Sequence, residues 1–123
     1  MVLRVKYNSL IVSITMRPPE PIPFEVAETL KQLGERIRIA RVRRQMRQDE
    51  LADKCRISRK TLYNIESGSP GIAIGHLFSV LWALNLLDEA KRLANPDNDE
   101  HGKILEAAQR KQRVREAEPD NDF

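Results

Sequence analysis

One cysteine and two histidines are all that this chain has of the common soft metal ligands: Cys55, His76 and His101. A lone thiol excludes an internal disulfide framework, and two histidines without a cysteine pair leave no metal-ligand spacing. A reducing cytoplasm fits that composition. Aromatic residues make up only 5 % of the chain, which points to a small helical protein and away from a sandwich or barrel. No apolar run reaches the roughly 18 to 20 residues of a membrane span. The opening MVLRVKYNSLIVSITMRPPEP lacks the long apolar stretch and small-residue cleavage site of a secretory signal. A cytosolic chain with no membrane partner is therefore expected. No nucleophile stands beside a base in any catalytic spacing, so neither an enzyme nor a cofactor is expected.

What the chain does have is charge, and it is unevenly placed. The net value is only +3. Between Lys31 and Lys60, however, eleven cations stand against Glu35, Asp49, Glu50 and Asp53, a surplus of seven, while Glu116, Glu118, Asp120 and Asp122 close the chain without a base. Such segregation is a stronger sign of a polyanionic partner than the net charge, although an arginine-rich helix face is often only solvated. At 123 residues there is room for one ordinary domain and tails, and none for a separate catalytic or sensor domain.

Along the chain, Leu3, Val5 and Tyr7 alternate up to Asn8-Ser9, and Leu10, Val12 and Ile14 alternate after it, the pattern of a two-residue β-hairpin. A hairpin alone is marginal, so this one is either a docking or dimerisation arm or, with Met16 as the natural start, an extension without a role. RPPEPIPF, residues 17 to 24, cannot be helical and reads as a linker. From Val26 the positions Leu30, Leu33, Ile37 and Ala40 recur at helical spacing, which predicts a first amphipathic helix. Leu51, Ala52 and Cys55 then give one apolar face, and Ile57, Leu62 and Ile65 give another that no single helix buries together with the first. Ser58 is placed as an N-cap and Gly68 as a C′ glycine, with Pro70 and Gly71 beyond it. Two short helices, about 48 to 55 and 58 to 67, are expected around a tight turn. Ile74 to Leu87 is the most apolar stretch and predicts a fourth helix to about Asn85 and a short fifth to about Ala94. Trp82 is expected in the core at that spacing, as is Cys55 at the helix crossing. NPDNDEHG is a turn-rich break, after which one weak helix around Ile104 to Ala108 and a mobile basic and acidic tail are expected.

A short helix, a three-residue turn and a capped second helix form a helix-turn-helix, whose second helix enters the DNA major groove. Its outer face would carry Arg59, Lys60, Thr61, Tyr63 and Asn64, with Arg43, Arg44, Arg47 and Arg56 around the rim. Arg59 suits guanine, because a guanidinium bonds O6 and N7 together, and Asn64 suits adenine.

LGERIR, Arg41, Gln48, DELA, Ile57-Ser58, Leu62, IESG and the later WAL together resemble the Xre or Cro/C1-type helix-turn-helix domain over residues 33 to 84. The resemblance implies an all-α, five-helix, λ-repressor-like domain over residues 25 to 94, with its motif at 48 to 67. It leaves residues 1 to 24 as an N-terminal arm and linker, and 95 to 123 as a flexible C-terminal extension. It also implies that Gln48 caps the first motif helix and touches phosphate, that Ser58, Arg59, Lys60 and Asn64 face DNA, and that Arg41 pairs with Glu66 structurally. Three positions depart from the pattern: Gln45, Arg47 and Arg56 stand where glycine, Ser/Thr and glycine are common. ALNLLDEAKRLANPDNDEHGKILEAAQRKQRVR, residues 83 to 115, is similar to the HipB-like branch, which implies a dimeric autorepressor of its own operator that restrains a HipA-like kinase toxin. Leu77, Leu81, Leu84, Leu86 and Leu87 are the candidate dimer interface, or simply core. The competing functions are a stand-alone phage-like or metabolic repressor, and a protein-interaction module that keeps the helix-turn-helix as scaffold.

Overall fold

The computed structural model describes residues 22–117. The expected N-terminal hairpin, most of the proline-rich linker and the last acidic residues lie outside them. Among the described residues there are six α-helices and no strand: α1 Phe24–Arg43, α2 Gln48–Cys55, α3 Arg59–Glu66, α4 Ile74–Ala83, α5 Leu87–Ala90 and α6 Glu100–Ala117. The chain divides into two compact units at Leu84/Asn85.

In the first unit, α1 packs on α3, and α2 packs on both α3 and α4. Ile37, Leu51, Leu62, Val80 and Leu84 are fully buried at the centre of this arrangement, with Ala40, Ala52 and Ile65 beside them. Each comes from an apolar stripe of its own helix, so burial of these faces holds the helices together more than helix propensity does. The small Ala52 lets α2 and α3 approach at the turn between them. Two glycines set the α1–α3 contact. A Cβ on Gly34 would stand 2.5 Å from the Glu66 carbonyl oxygen and 2.7 Å from that of Ile65, and one on Gly68 would stand 2.6 Å from Lys31 Cα. Helix α1 therefore meets the end of α3 backbone to backbone.

The first three helices stop in the same way. After α1 the Met46 N–H reaches the Arg41 carbonyl and the Gln45 N–H that of Val42; after α2, Ile57 reaches Ala52 and Arg56 reaches Asp53; after α3, Ser69 reaches Asn64 and Gly68 reaches Ile65. This paired pattern satisfies the last carbonyls and needs a left-handed residue at its pivot. The pivots are Gln45 at φ 57°, Arg56 at φ 56° and Gly68 at φ 79°. The turn at Arg56 thus keeps the left-handed geometry for which glycine is usual, and an arginine bears its strain. A side chain in this region costs about 1 to 2 kcal/mol, partly offset in any Gly replacement by the greater entropy of the unfolded glycine. Gln45→Gly is accordingly expected to stabilise the fold by about 1 kcal/mol and raise the thermal midpoint by about 4 to 8 °C, measured by far-UV circular dichroism. A lower midpoint would show that the Gln45 side chain makes a compensating contact.

Two core expectations need correction. Trp82 is 62 % exposed, because α4 turns Val80 toward the core and the indole lies on a different side of the helix. Cys55 is only half-buried, with its Sγ 3.5 Å from the Ser79 carbonyl oxygen. Partial burial pushes its thiol pKa up, so the thiolate is disfavoured.

In the second unit, α5 is a single turn and ends at Ala90, short of the expected Ala94; residues 91–94 continue as turns. Asn95 caps a 3₁₀ turn at Pro96–Asn98 through the Asp97 N–H. Asp99 then accepts the Gly102 N–H at 2.9 Å and starts α6. This helix is much longer than the weak segment read from the sequence and carries the basic KQRVR run to Ala117, so that run is helix and not a loose tail. The reason is local: Ala, Glu, Gln, Lys and Arg dominate it, and Glu106–Arg110 and Gln112–Glu116 pair one turn apart.

Candidate nucleic-acid interface

Helix α3 begins where Ser58 Oγ accepts the Thr61 N–H at 3.0 Å. The two hydroxyls also share a hydrogen bond at 2.9 Å, which fixes the first turn. Because Leu62, Ile65 and Glu66 face inward, the helix period sends Arg59, Lys60 and Tyr63 outward into solvent, and leaves Thr61 and Asn64 half-buried at the margins. The first turn holds no carboxylate, so its unpaired N–H groups and two cations present one uninterrupted positive end.

Helix α2 opens beside it. The N-cap position falls on Arg47, whose guanidinium has no acceptor and cannot do what Ser or Thr does there. Neighbouring carboxylates substitute: Glu50 accepts the Arg47 N–H at 2.8 Å, and Asp49 accepts the Glu50 N–H at 2.8 Å. Arg47 Nε donates to Asp49 at 3.1 Å, and that hydrogen bond holds the Asp49 carboxyl below its usual pKa. Arg41, Arg47, Gln48, Asp49 and Arg59 together line a shallow polar concavity.

Gln48 does not occupy the N-cap. It is the first residue of α2, and its amide donates to Glu66 Oε1 at 3.0 Å. The same carboxylate takes both arms of Arg41, Nε to Oε2 at 2.7 Å and a terminal nitrogen to Oε1 at 3.1 Å. The other terminal nitrogen of Arg41 donates to the Met46 carbonyl at 2.8 Å. Glu66 thus gathers α1, α2 and α3 on one buried acceptor, and positions the wall behind the exposed face. Sequence spacing gave no hint that Gln48 would join this group, since nothing local distinguishes a glutamine that turns inward.

The rim arginines divide by what they touch. Arg44 donates to the Ala40 carbonyl at 2.8 Å and closes the end of α1. Arg47 is tied to Asp49. Arg43, Arg56, Arg59 and Lys60 are exposed and form no ion pair among the described residues. Of the leucines proposed as a dimer surface, Leu84 is fully buried and therefore not on a surface at all. Leu77 and Leu81 are half-buried in the first unit, and Leu86 and Leu87 in the second. Among the described residues no group of His, Cys, Asp and Glu is arranged to hold a metal ion, and no helix is long and apolar enough to cross a membrane.

Residues 32–90 match the model of a family described as a helix-turn-helix domain. The match takes in α2, the turn and α3, and with them every exposed cation of this face, so the segment carries a helix-turn-helix domain. No curated protein matches the chain.

Proposed function

We propose that the chain is a sequence-specific DNA-binding transcriptional repressor of the Xre-like class, acting on the promoter of its own operon. One observation carries the reading: α3 turns Arg59, Lys60 and Tyr63 to solvent from a firmly capped first turn, and Arg43 and Arg56 form no ion pair among the described residues. Cations left unpaired on a rigid convex element suit phosphate and base edges, and release of DNA counterions supplies most of the affinity. Nothing in this face resembles a catalytic arrangement. The role of antitoxin to a HipA-like kinase rests on the likeness of residues 83–115 to the HipB-like branch, and belongs to this proposal as its finer part.

Arg59 is the first residue of α3, the end that a recognition helix presents to base edges, whereas Arg43 ends α1 and suits a phosphate. Arg59→Ala is therefore expected to lower affinity for the operator about 5- to 150-fold, the equivalent of roughly 1 to 3 kcal/mol, while leaving random DNA comparatively unaffected. Arg43→Ala is expected to weaken both alike and to reduce the salt dependence by about one phosphate contact. Fluorescence anisotropy on both duplexes checks this, and equal losses on specific and random DNA for both variants would refute the division of roles.

A further inference from the structure

Helix α6 lies beyond the residues that match the helix-turn-helix family. It buries no residue, so packing does not explain its composition. Its charges are sorted along its length. At its start Lys103 is tied to Glu100 at 3.3 Å and to the Asp97 carbonyl at 2.7 Å, and further on Arg110 pairs with Glu106 at 2.8 Å. After Arg110 the pattern changes. Lys111, Arg113 and Arg115 are exposed and form no ion pair among the described residues, and Glu116, the one acid of α6 after Glu106, is held by the Gln112 amide at 3.3 Å. This arrangement works against the helix. Lys111 and Arg115 stand four residues apart and Arg110 and Arg113 three apart, spacings at which like charges repel. The helix dipole favours cations only in the last turn, which here holds Arg115 alone. Cations gathered against their own repulsion suit a polyanion that removes it.

We propose that the end of α6 is a second contact to DNA, in which Lys111, Arg113 and Arg115 hold backbone phosphates outside the site read by α3. The proposal rests on the DNA-binding reading and adds to it a contact that carries no sequence information. Chemistry selects the occupant. A membrane surface requires an apolar stripe alongside the cations. Ile104, Leu105 and Val114, the large apolar residues exposed on α6, are instead spread over about half its circumference. A duplex asks for no apolar complement, because neutralising its phosphates releases counterions and that release supplies the affinity. Covalent attachment to the helix-turn-helix adds a further reason. Once α3 is on DNA, the cations of α6 meet phosphate in an intramolecular step at high effective concentration.

Lys111→Gln, Arg113→Gln and Arg115→Gln made together remove the charge and keep a good helix former at each position. Anisotropy over a salt series compares the full chain and this variant on the DNA upstream of the gene and on a scrambled duplex. The variant is expected to lose affinity for both duplexes alike, by about tenfold or more at the lowest salt, and the slope of log affinity on log salt is expected to be shallower by about 2 to 3. Lys111→Arg, Arg113→Lys and Arg115→Lys made together keep the charge and are expected to bind as the wild type does. Far-UV circular dichroism checks that both variants keep their helix. A wild-type chain that prefers its own DNA, with a glutamine variant of unchanged slope, overturns the inference and leaves the sequence-reading role of α3 standing. An equal loss in the charge-keeping variant overturns it too. A wild-type chain without preference, whose glutamine variant still shows the shallower slope, supports the inference and refutes that role. Failure to bind either duplex refutes both.

Discussion

Glu66→Ala is expected to cost about 3 to 5 kcal/mol of folding stability. The Glu66 side chain is 4 % exposed and that of Arg41 12 %, so deletion of the carboxylate strands a guanidinium with only the Met46 carbonyl left to it and frees the Gln48 amide. For a domain whose total stability is about 5 to 10 kcal/mol, that removes a large share. The energy lies less in the attraction of the pair than in the uncompensated charge left behind. Replacing both partners, Arg41→Met with Glu66→Leu, is accordingly expected to be less damaging than Glu66→Ala alone. Urea denaturation of the three proteins checks this. If the double variant were as unstable as Glu66→Ala or more so, the pair would be a true net stabiliser.

The second large effect is expected at Gly34, where alanine ought to be favoured on helix propensity by about 1 kcal/mol. Packing reverses the sign. The added methyl would fall 2.5 and 2.7 Å from two backbone carbonyl oxygens at the end of α3, and these cannot rotate away as a side chain would. Either α1 or the end of α3 must shift, and overpacking of this kind costs about 1 to 3 kcal/mol. A fall of several degrees in thermal midpoint is expected, and where the end of α3 is what shifts, weaker operator binding with it, since α3 is the helix proposed to meet DNA. An unchanged or raised midpoint would show that α1 and α3 do not meet so closely.

Gly34 and Glu66 also mark how far the sequence could be read. Capping and stop signals are local, so Ser58, Gly68 and the apolar faces through Leu51 and Leu62 placed α2 and α3 to within a residue. Periodicity likewise gave α1 from its first turn. The all-helical fold with its helix-turn-helix was legible for this reason. What failed was set by tertiary environment or by several weak terms added together. The direction of the Gln48 amide depends on a carboxylate eighteen residues away. Trp82 has the spacing of a core residue, but a ten-residue helix offers more apolar side chains than one narrow contact buries. Helix α6 lacks an apolar face and rests on many small intrahelical terms, which a search for hydrophobic stripes overlooks. The left-handed Arg56 was open in the sequence, where glycine is usual but not compulsory, and only the backbone decides it.

Binding of the full chain to the DNA upstream of its own gene tests the central claim most directly. Anisotropy at two salt concentrations, against a scrambled duplex of equal length, is the measurement. A tight preference for its own DNA is expected, with affinity falling steeply as salt rises in proportion to the phosphates contacted. Equal affinity for both duplexes at both salt concentrations would contradict a sequence-reading repressor, and would leave the helix-turn-helix as a scaffold for a protein partner.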